Sequence, residues 1–278
     1  MTRHSKRPLI MGILNVTSDS FSDGGDYPDV AAAVTHAICL VEEGADIIDI
    51  GGESTRPGAA RISASVQIDR VVPVIEELKK RLSGDISISV DTTLAKVADA
   101  AISAGAIMIN DVSAGRDDPE LFGLAASRKA SLVLMHMQGT PSTMQDNPVY
   151  ADVVEEVYQF LLERIAAARS AGIQDDRIII DPGIGFGKTL EHNIDILNKL
   201  SRFTDSRYPV MLGASRKRFL KTICKGEHNV DLAGATCATT AMGVLAGVSI
   251  FRVHDVRENR QTADVIHRII ENLSAGTV

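Results

Sequence analysis

The sequence predicts a single-domain α/β fold, a TIM-type (β/α)8 barrel, and three observations predict it. Eight short apolar runs recur along the chain, helical patterns fall between them, and the runs close on polar residues. At 278 residues the chain is near the ~250 of one complete barrel. No Pro/Ser/Gly-rich linker or low-complexity block divides it, so residues 1–278 are expected to form one domain.

The first run, Leu9–Val16, follows the basic residues Arg3, Lys6 and Arg7. Such a start resembles a secretory signal. The run is short, however, lacks a small-residue cleavage site and passes directly into an Asp/Ser/Gly loop, so a strand is expected. That loop, Thr17–Asp29, carries Phe21 amid small polar residues. The second run, Ala45–Ile50, leads into Gly51–Arg61, which holds Thr55, Arg56 and Pro57. Both loops have the composition of lids; the competing reading is two solvated loops without a role. An arginine beside proline in a Gly-rich lid suits a phosphate clamp.

The remaining runs are Asp85–Val90, Ile107–Ile109, Leu132–Met135, Ile178–Ile180, Val210–Leu212 and Ser249–Val253. They are continuously apolar, the pattern of strands buried on both faces. Between them, Val71, Ile75, Leu78 and Leu82 share one helical face, as do Val154, Val157, Leu161 and Ile165. The last helix repeats the pattern with Ile266, Ile269, Ile270 and Leu273. A helix over Leu232–Ala246, rich in Ala, Gly and Thr, is suited to close packing against a neighbouring element or a second subunit. Such units can also wind into an open Rossmann-like sheet, but eight in one undivided chain favour the barrel.

Composition narrows the function. Net charge is −7, so no general basic field draws nucleic acid, and phosphate would be held by local cations. No run approaches the ~18 apolar residues of a membrane span. Cys39, Cys224 and Cys237 form no CxxC pair and no even disulfide set, which points to inert core thiols in a reducing, cytoplasmic compartment.

Barrel active sites lie at the carboxyl ends of the strands. The polar residues closing the runs are Asn15, Asp49 with Glu53, Asp91, Asn110, His136, Asp181, Ser215 with Lys217, and Arg252 with His254. Any strand running into water ends in something polar, so a single member of this set is weak; the convergence of all on one rim is the signal. Asp91, Asn110 and Asp181 suit a flat, donor-rich heterocycle such as a 2-amino-pyrimidinone ring. Lys217, Arg252 and His254 suit a carbonyl and phosphate oxygens. A pyrophosphate leaving group calls for those cations and for Mg²⁺, to which Asn15 would give one neutral oxygen. No GxSxG, catalytic-Cys or HExxH signature is present. The histidines His4, His36, His192, His228 and His267 read as surface or helix residues without metal-ligand spacing, and His136 as a residue that shapes the pocket.

One segment imitates a nucleotide-binding loop. DPGIGFGKT, Asp181–Thr189, has Pro182 where a Walker A loop needs glycine, and proline cannot donate a backbone N–H. Its glycines instead allow Phe186 and the backbone to approach a flat ligand.

In order from Met11 to Val256, the segments MGILNVTSDSFSDGG, IIDIGGESTRPGA, SVDT, INDVSAG, LMHMQGTPSTMQ, IIIDPGIGFGKT, GASRKRF and FRVHDV resemble the dihydropteroate synthase family of folate biosynthesis. The resemblance implies that the chain joins 6-hydroxymethyl-7,8-dihydropterin pyrophosphate to p-aminobenzoate, with Mg²⁺, as a homodimer. It places Asp91, Asn110, Val112, Met137, Asp181, Phe186, Gly213, Lys217 and Arg252 around the pterin. It places Asn15, as metal contact, with Arg56, Arg252 and His254 at the pyrophosphate. Phe21, Thr55, Pro57, Ser215, Lys217 and Arg218 fall to p-aminobenzoate, and Asp91, Lys217, Arg252 and His254 to catalysis. Many members carry serine where this chain has Arg218, which leaves the carboxylate anchor open. Loss of pyrophosphate would precede attack by the neutral aryl amine, so no strong base is needed. The competing readings are a corrinoid-linked, methyltetrahydrofolate-dependent methyltransferase, which has no need of a pyrophosphate clamp, and a catalytically dead barrel acting as a scaffold.

Overall fold

A computed structural model describes residues 6–17, 29–53, 61–225 and 231–275. The strands are β1 (Leu9–Asn15), β2 (Ile47–Gly51), β3 (Ser87–Asp91), β4 (Met108–Asp111), β5 (Ser131–Met135), β6 (Ile178–Asp181), β7 (Met211–Leu212) and β8 (Ile250–Val253). The helices are α1 (Val30–Glu42), α2 (Ala64–Arg81), α3 (Ala95–Ala104), α4 (Glu120–Arg128), α5 (Val153–Ser170), α6 (Leu190–Asn198), α7 (Ser201–Thr204), α8 (Arg218–Ile223), α9 (Ala233–Ala246) and α10 (Val256–Ala275). All neighbouring strands pair in parallel, in the order β6-β5-β4-β3-β2-β1-β8-β7. A parallel bridge between Ile180 and Val210 brings the two ends together into a nearly closed barrel. The eight apolar runs are therefore strands, and the Leu9–Val16 run supplies β1, paired on both sides by β2 and β8.

Side-chain alternation sorts each strand into an inner and an outer set. Outward residues such as Ile10, Leu14, Ile48, Ile50, Val90, Ile109, Leu134, Ile180 and Phe251 join the helices in the large core. Inward residues Met11, Ile47, Met108, Val133, Ile179, Met211 and Ile250 form a separate apolar cluster that plugs the barrel. A strand with apolar residues on both faces is what a continuous hydrophobic run encodes.

Side chains cap several helices. Asp29 accepts from the first-turn amides of α1, Asp152 does the same for α5, and Thr189 with His192 forms a reciprocal capping box at α6. Each such cap contributes about 1 kcal/mol.

Two expectations are corrected. On α10, Ile270 is buried, but Ile269 is 49% exposed and Leu273 70%. The inward line instead runs through Val256, Asn259, Arg260, Ala263, His267 and Ile270. Polar residues with internal partners occupy that face: Asn259 accepts from Thr240 Oγ1 on α9 at 2.6 Å, and Arg260 donates to the Pro8 carbonyl at 2.9 Å. The cysteines are not core thiols either: Cys39 and Cys224 are exposed and Cys237 is half-buried. Cys39 lies off the α1 face that buries Ala33, Ala37 and Leu40. Among the described residues no helix is long and apolar enough to cross a membrane.

The small-residue helix α9 packs within the chain. A Cβ on Gly243 would meet Phe251 Cε1 of β8 at 2.5 Å. Gly243→Ala should therefore push Phe251 aside and destabilise the fold by roughly 1–3 kcal/mol, read as a lower midpoint in chemical denaturation with an unchanged slope.

Candidate active site

The site is built by climbing each strand from the apolar plug toward the carboxyl end. Two residues beyond the plug come Asp49, Asn110, Met135, Asp181, Gly213 and Arg252; Ser89 and then Asp91 rise on β3. The sequence thus changes from apolar to polar along one inward-facing line, which places ionic groups in a low-dielectric barrel.

Arg252 joins the carboxylates. Its Nε donates to Asp49 Oδ2 at 2.6 Å and its Nη2 to Asp91 Oδ2 at 2.7 Å. Asn110 Nδ2 donates to the same Asp49 oxygen at 2.9 Å. Burial pushes the Asp91 carboxyl up, to about 7, against the pull of Arg252. Asn15 reaches the same hollow: a Cβ placed on Gly51 would lie 3.7 Å from Asn15 Oδ1 and 3.8 Å from Asp91 Oδ2.

Asp181 stands on the other side of Gly213. A Cβ there would lie 3.7 Å from Asp181 Oδ2 and 3.9 Å from Arg252 Cβ, so the missing side chain leaves one space between these residues. Asp181 Oδ1 accepts from Gly183 N at 2.7 Å, and burial raises its carboxyl against the opposing pull of Lys217.

The β6–α6 loop that follows is pinned carbonyl by carbonyl. Lys188 Nζ donates to Gly183 O at 2.9 Å and Phe186 O at 3.0 Å, and lies 2.9 Å from His136 Nδ1. Lys217 Nζ donates to Ile184 O, Gln145 Nε2 to Gly185 O at 2.8 Å, and Tyr150 Oη to Gly187 O at 2.7 Å. Backbone groups that helix or sheet would have paired are here satisfied by side chains. Lys188 is buried among these partners, so it does not face a phosphate as a Walker lysine would. Burial drives both partners toward neutrality: the Lys188 ammonium well below its ordinary value, and His136 down to about 2.

Lys217 also lies over the Phe186 ring, 4.3 Å from its centroid. Burial pulls its ammonium down to about 7, opposed by Asp181. Phe186 packs against a buried apolar wall of Val112, Met135, Met137 and Met144.

The two last loops are tied together. Ser215 Oγ accepts from His254 N at 3.1 Å and lies 3.0 Å from His254 Nδ1. Between Ser215 and Lys217, Arg216 adopts a left-handed φ of +56°, and its guanidinium forks onto Asp255. Strain of this kind is held where surrounding contacts over-determine it. Arg218, the first residue of α8, is exposed.

Phe21, Thr55, Arg56 and Pro57 lie outside the described residues. The ends of their second loop are anchored: Glu53 accepts from Ile62 N at 2.8 Å, Arg70 donates to Gly52 O at 2.9 Å, and Arg61 pairs with Asp117.

Known proteins share both the sequence and the fold of this chain. A model of pterin binding enzymes matches residues 11–254. A dihydropteroate synthase of Synechocystis sp. is 43% identical over 260 residues, covering 94% of this chain and 89% of its own. The chain belongs to the dihydropteroate synthase family of pterin-binding enzymes. Solved structures agree. Dihydropteroate synthase of Xanthomonas albilineans with 4-aminobenzoic acid matches at TM-score 0.87 and 43% identity, over 95% of this chain and 94% of that one. Its complex with 7,8-dihydropteroate matches at 0.85 and 40%, over 97% and 95%.

In this member of the dihydropteroate synthase family, sequence reasoning did not single out Met144, Lys188, Asp111 or Asp255. Asp111 is buried and receives Ser113 N at 2.8 Å and Ser113 Oγ at 2.7 Å, shaping the β4–α4 loop. An Asp two residues before Ser is a turn signature that would have found it. Lys188 was hidden by its likeness to a phosphate binder.

Gly183 is the tightest point of the site, with φ +68° and no room for a Cβ against the His136 carbonyl oxygen. Gly183→Ala should cost at least about 1–2 kcal/mol from the left-handed backbone alone, with the clash in addition. A thermal melt would show the loss, and an unchanged melting temperature would contradict the packing.

Proposed function

We infer that this chain catalyses dihydropteroate synthesis: 6-hydroxymethyl-7,8-dihydropterin pyrophosphate and p-aminobenzoate give 7,8-dihydropteroate and pyrophosphate. The observation carrying the reading is the space over Gly213, flanked by Asp181 on one side and Arg252 on the other, in a chain of this family. Acceptors and cations thus share one hollow, which an amine-bearing ring with a diphosphate tail requires. Nothing among the described residues favours the methyltransferase or the scaffold, and the relatives named above are dihydropteroate synthases.

Asp181, Asp91 and Asn110 would accept from the pterin's amino and ring N–H groups. Lys217 would face its carbonyl, with Phe186, Val112, Met137 and the Gly213 backbone completing the pocket. Arg252, His254 and Arg56 would bind the diphosphate. Phe21, Thr55 and Pro57 would close over p-aminobenzoate beside Ser215, Lys217 and Arg218, with the carboxylate anchor lying among those last three.

The methylene C–O bond breaks first, and its electron pair leaves with pyrophosphate. The cation left on the methylene is spread into the electron-rich ring, where Asp91 and Asp181 offset it. The lone pair of the neutral aryl amine then forms the C–N bond, and the amine's proton passes to solvent. Arg252 stabilises charge as it gathers on the leaving oxygens.

Mg²⁺ fits this donor set. Among the described residues no three His, Cys, Asp or Glu side chains gather as a metal cage. Asn15 Oδ1 stands near Asp91 in the same hollow, and Mg²⁺ is commonly held by few protein oxygens together with waters and phosphates. Bound there, it would supply electrostatic stabilisation of the diphosphate. We place the protein in the cytoplasm, in keeping with its unpaired, exposed Cys39 and Cys224. We propose a homodimer, because α9 and α10 pack together while Met242, Leu245, Val265, Ile269 and Leu273 on them are exposed.

The direct test is pyrophosphate release measured with and without Mg²⁺ and p-aminobenzoate; dihydropteroate should form only with all components. Asp181→Ala should raise the pterin KM roughly tenfold or more, the cost of a charged hydrogen bond. Arg252→Ala should lower kcat by about 100-fold or more, and normal single-turnover C–O cleavage in that variant would contradict its role.

A pH dependence follows from Lys217, whose ammonium loses its proton near 7. Its attraction for the pterin carbonyl is present below that value and fades above it. Lys217→Arg keeps its charge at all accessible pH, so the alkaline decline in pterin affinity should flatten. Equal alkaline limbs in calorimetric titrations of both proteins would exclude Lys217 as the cause.

A further inference from the structure

Asp49 is completely buried, one layer below the rim on β2, and none of the roles above uses it. A single oxygen, Oδ2, receives Arg252 Nε from β8 at 2.6 Å and Asn110 Nδ2 from β4 at 2.9 Å. This carboxylate therefore fixes two pocket residues on opposite sides of its own strand. Its other oxygen, Oδ1, has no hydrogen-bond partner, nor have Asn110 Oδ1 and Ser89 Oγ, and all three atoms are buried. Ser89 is the residue paired with Asp49 in the β2–β3 register.

A purely structural explanation is weak. Buried ion pairs are commonly matched or exceeded in stability by apolar side chains of similar volume, and unsatisfied buried oxygens add cost. Ile47, two residues earlier on the same inward line, is apolar and belongs to the plug.

The arrangement around Arg252 supplies a reason. Its second carboxylate is Asp91, which lies one layer nearer the rim, because Gly51 rather than Asp49 pairs with it. The guanidinium is thus held from below through Nε and reaches upward through Nη2. Substrate bound as described draws on Asp91 as an acceptor, in competition with Arg252, which holds one of its oxygens. With Asp91 as sole internal counter-ion, that competition would weaken the only carboxylate answering the guanidinium.

We propose that Asp49 is a positioning residue: it is the lower counter-ion of Arg252, which leaves Asp91 able to accept from the pterin while the guanidinium stays paired. The assignment rests on the functional reading above. Removing the charge at Asp49 tightens the remaining Arg252–Asp91 pair, so the substrate competes with a stronger contact.

Asp49→Asn removes charge at constant volume. Its pterin KM should rise at least tenfold and its kcat should fall, while the p-aminobenzoate KM changes less than twofold in protein that remains folded. Wild-type pterin KM and kcat in the folded variant would overturn the proposal. So would a proportional loss of all three parameters that tracks a lowered melting temperature. Asp49→Ser opens space in which added formate can replace the carboxylate; formate should restore the pterin KM in that variant, and failure of rescue in the folded protein also counts against the role. Should Asp49→Asn not fold, Asp49→Ser decides. A wild-type protein that forms no dihydropteroate would instead sink the functional reading, whereas an active wild type with indifferent Asp49 variants removes only this assignment.

Discussion

A guanidinium enclosed by carboxylates inside a barrel is the constraint on which the site depends. Arg252 is rooted in the barrel, because β8 places it two residues above the apolar plug and leaves its side chain only 20% exposed. Its charge must be met internally, and Asp49 and Asp91 meet it from adjacent strands of the β8-β1-β2-β3 arc. The positions of Asn110, through Asp49, and of the space over Gly213, beside the Arg252 stem, follow from that pairing. The barrel therefore does more than display loops. Its polar interior layer fixes the floor on which the loops act.

The loops after β6, β7 and β8 inherit that rigidity through side chains that capture backbone. Consecutive carbonyls from Gly183 to Gly187 are each bonded by Lys188, Lys217, Gln145 or Tyr150. Lys217 serves twice, as a donor to the loop and as a cation over Phe186, so the β7–α8 loop braces the β6–α6 loop. Arg216 and Asp255 tie the β7–α8 loop to the start of α10, and Ser215 and His254 repeat the link on the pocket side. Hinges are few in such a construction, which suits a site that needs fixed donors more than moving bases.

How much of this was legible in the sequence follows from the range of each interaction. Strands and the rim residues Asn15, Asp91, Asn110, Asp181, Lys217 and Arg252 were legible, because burial on both faces and a polar terminus are properties of one segment. The buried face of α10 was misread, because Asn259, Arg260 and His267 point inward to partners far away in sequence while Ile269 and Leu273 point out. Hydrophobicity finds a face only when its polar residues are solvated. Lys188 was obscured for a related reason: its partners, His136 and the carbonyls of its own loop, exist only once β5 and β6 are adjacent. Cys39 failed in the opposite direction, as an apolar residue type set just off the buried stripe of α1.

The charge balance of the interior carries the chemistry one step further. Asp49, Asp91 and Asp181 face Arg252 and Lys217, and the third nearby cation, Lys188, is driven toward its neutral form by burial. The described pocket thus holds no excess positive charge, and the chain as a whole carries −7. A diphosphate arriving there finds donors but too little compensating charge, since each internal cation already answers a carboxylate. Under the proposed function, a divalent counter-ion accompanying the substrate would supply that charge. The ring end, by contrast, meets carboxylates that burial raises and that Arg252 and Lys217 pull back toward their charged forms. On the proposed function, such a site would favour an ion-paired diphosphate over a free one, and its carboxylates would stand beside the ring where cleavage leaves a cation.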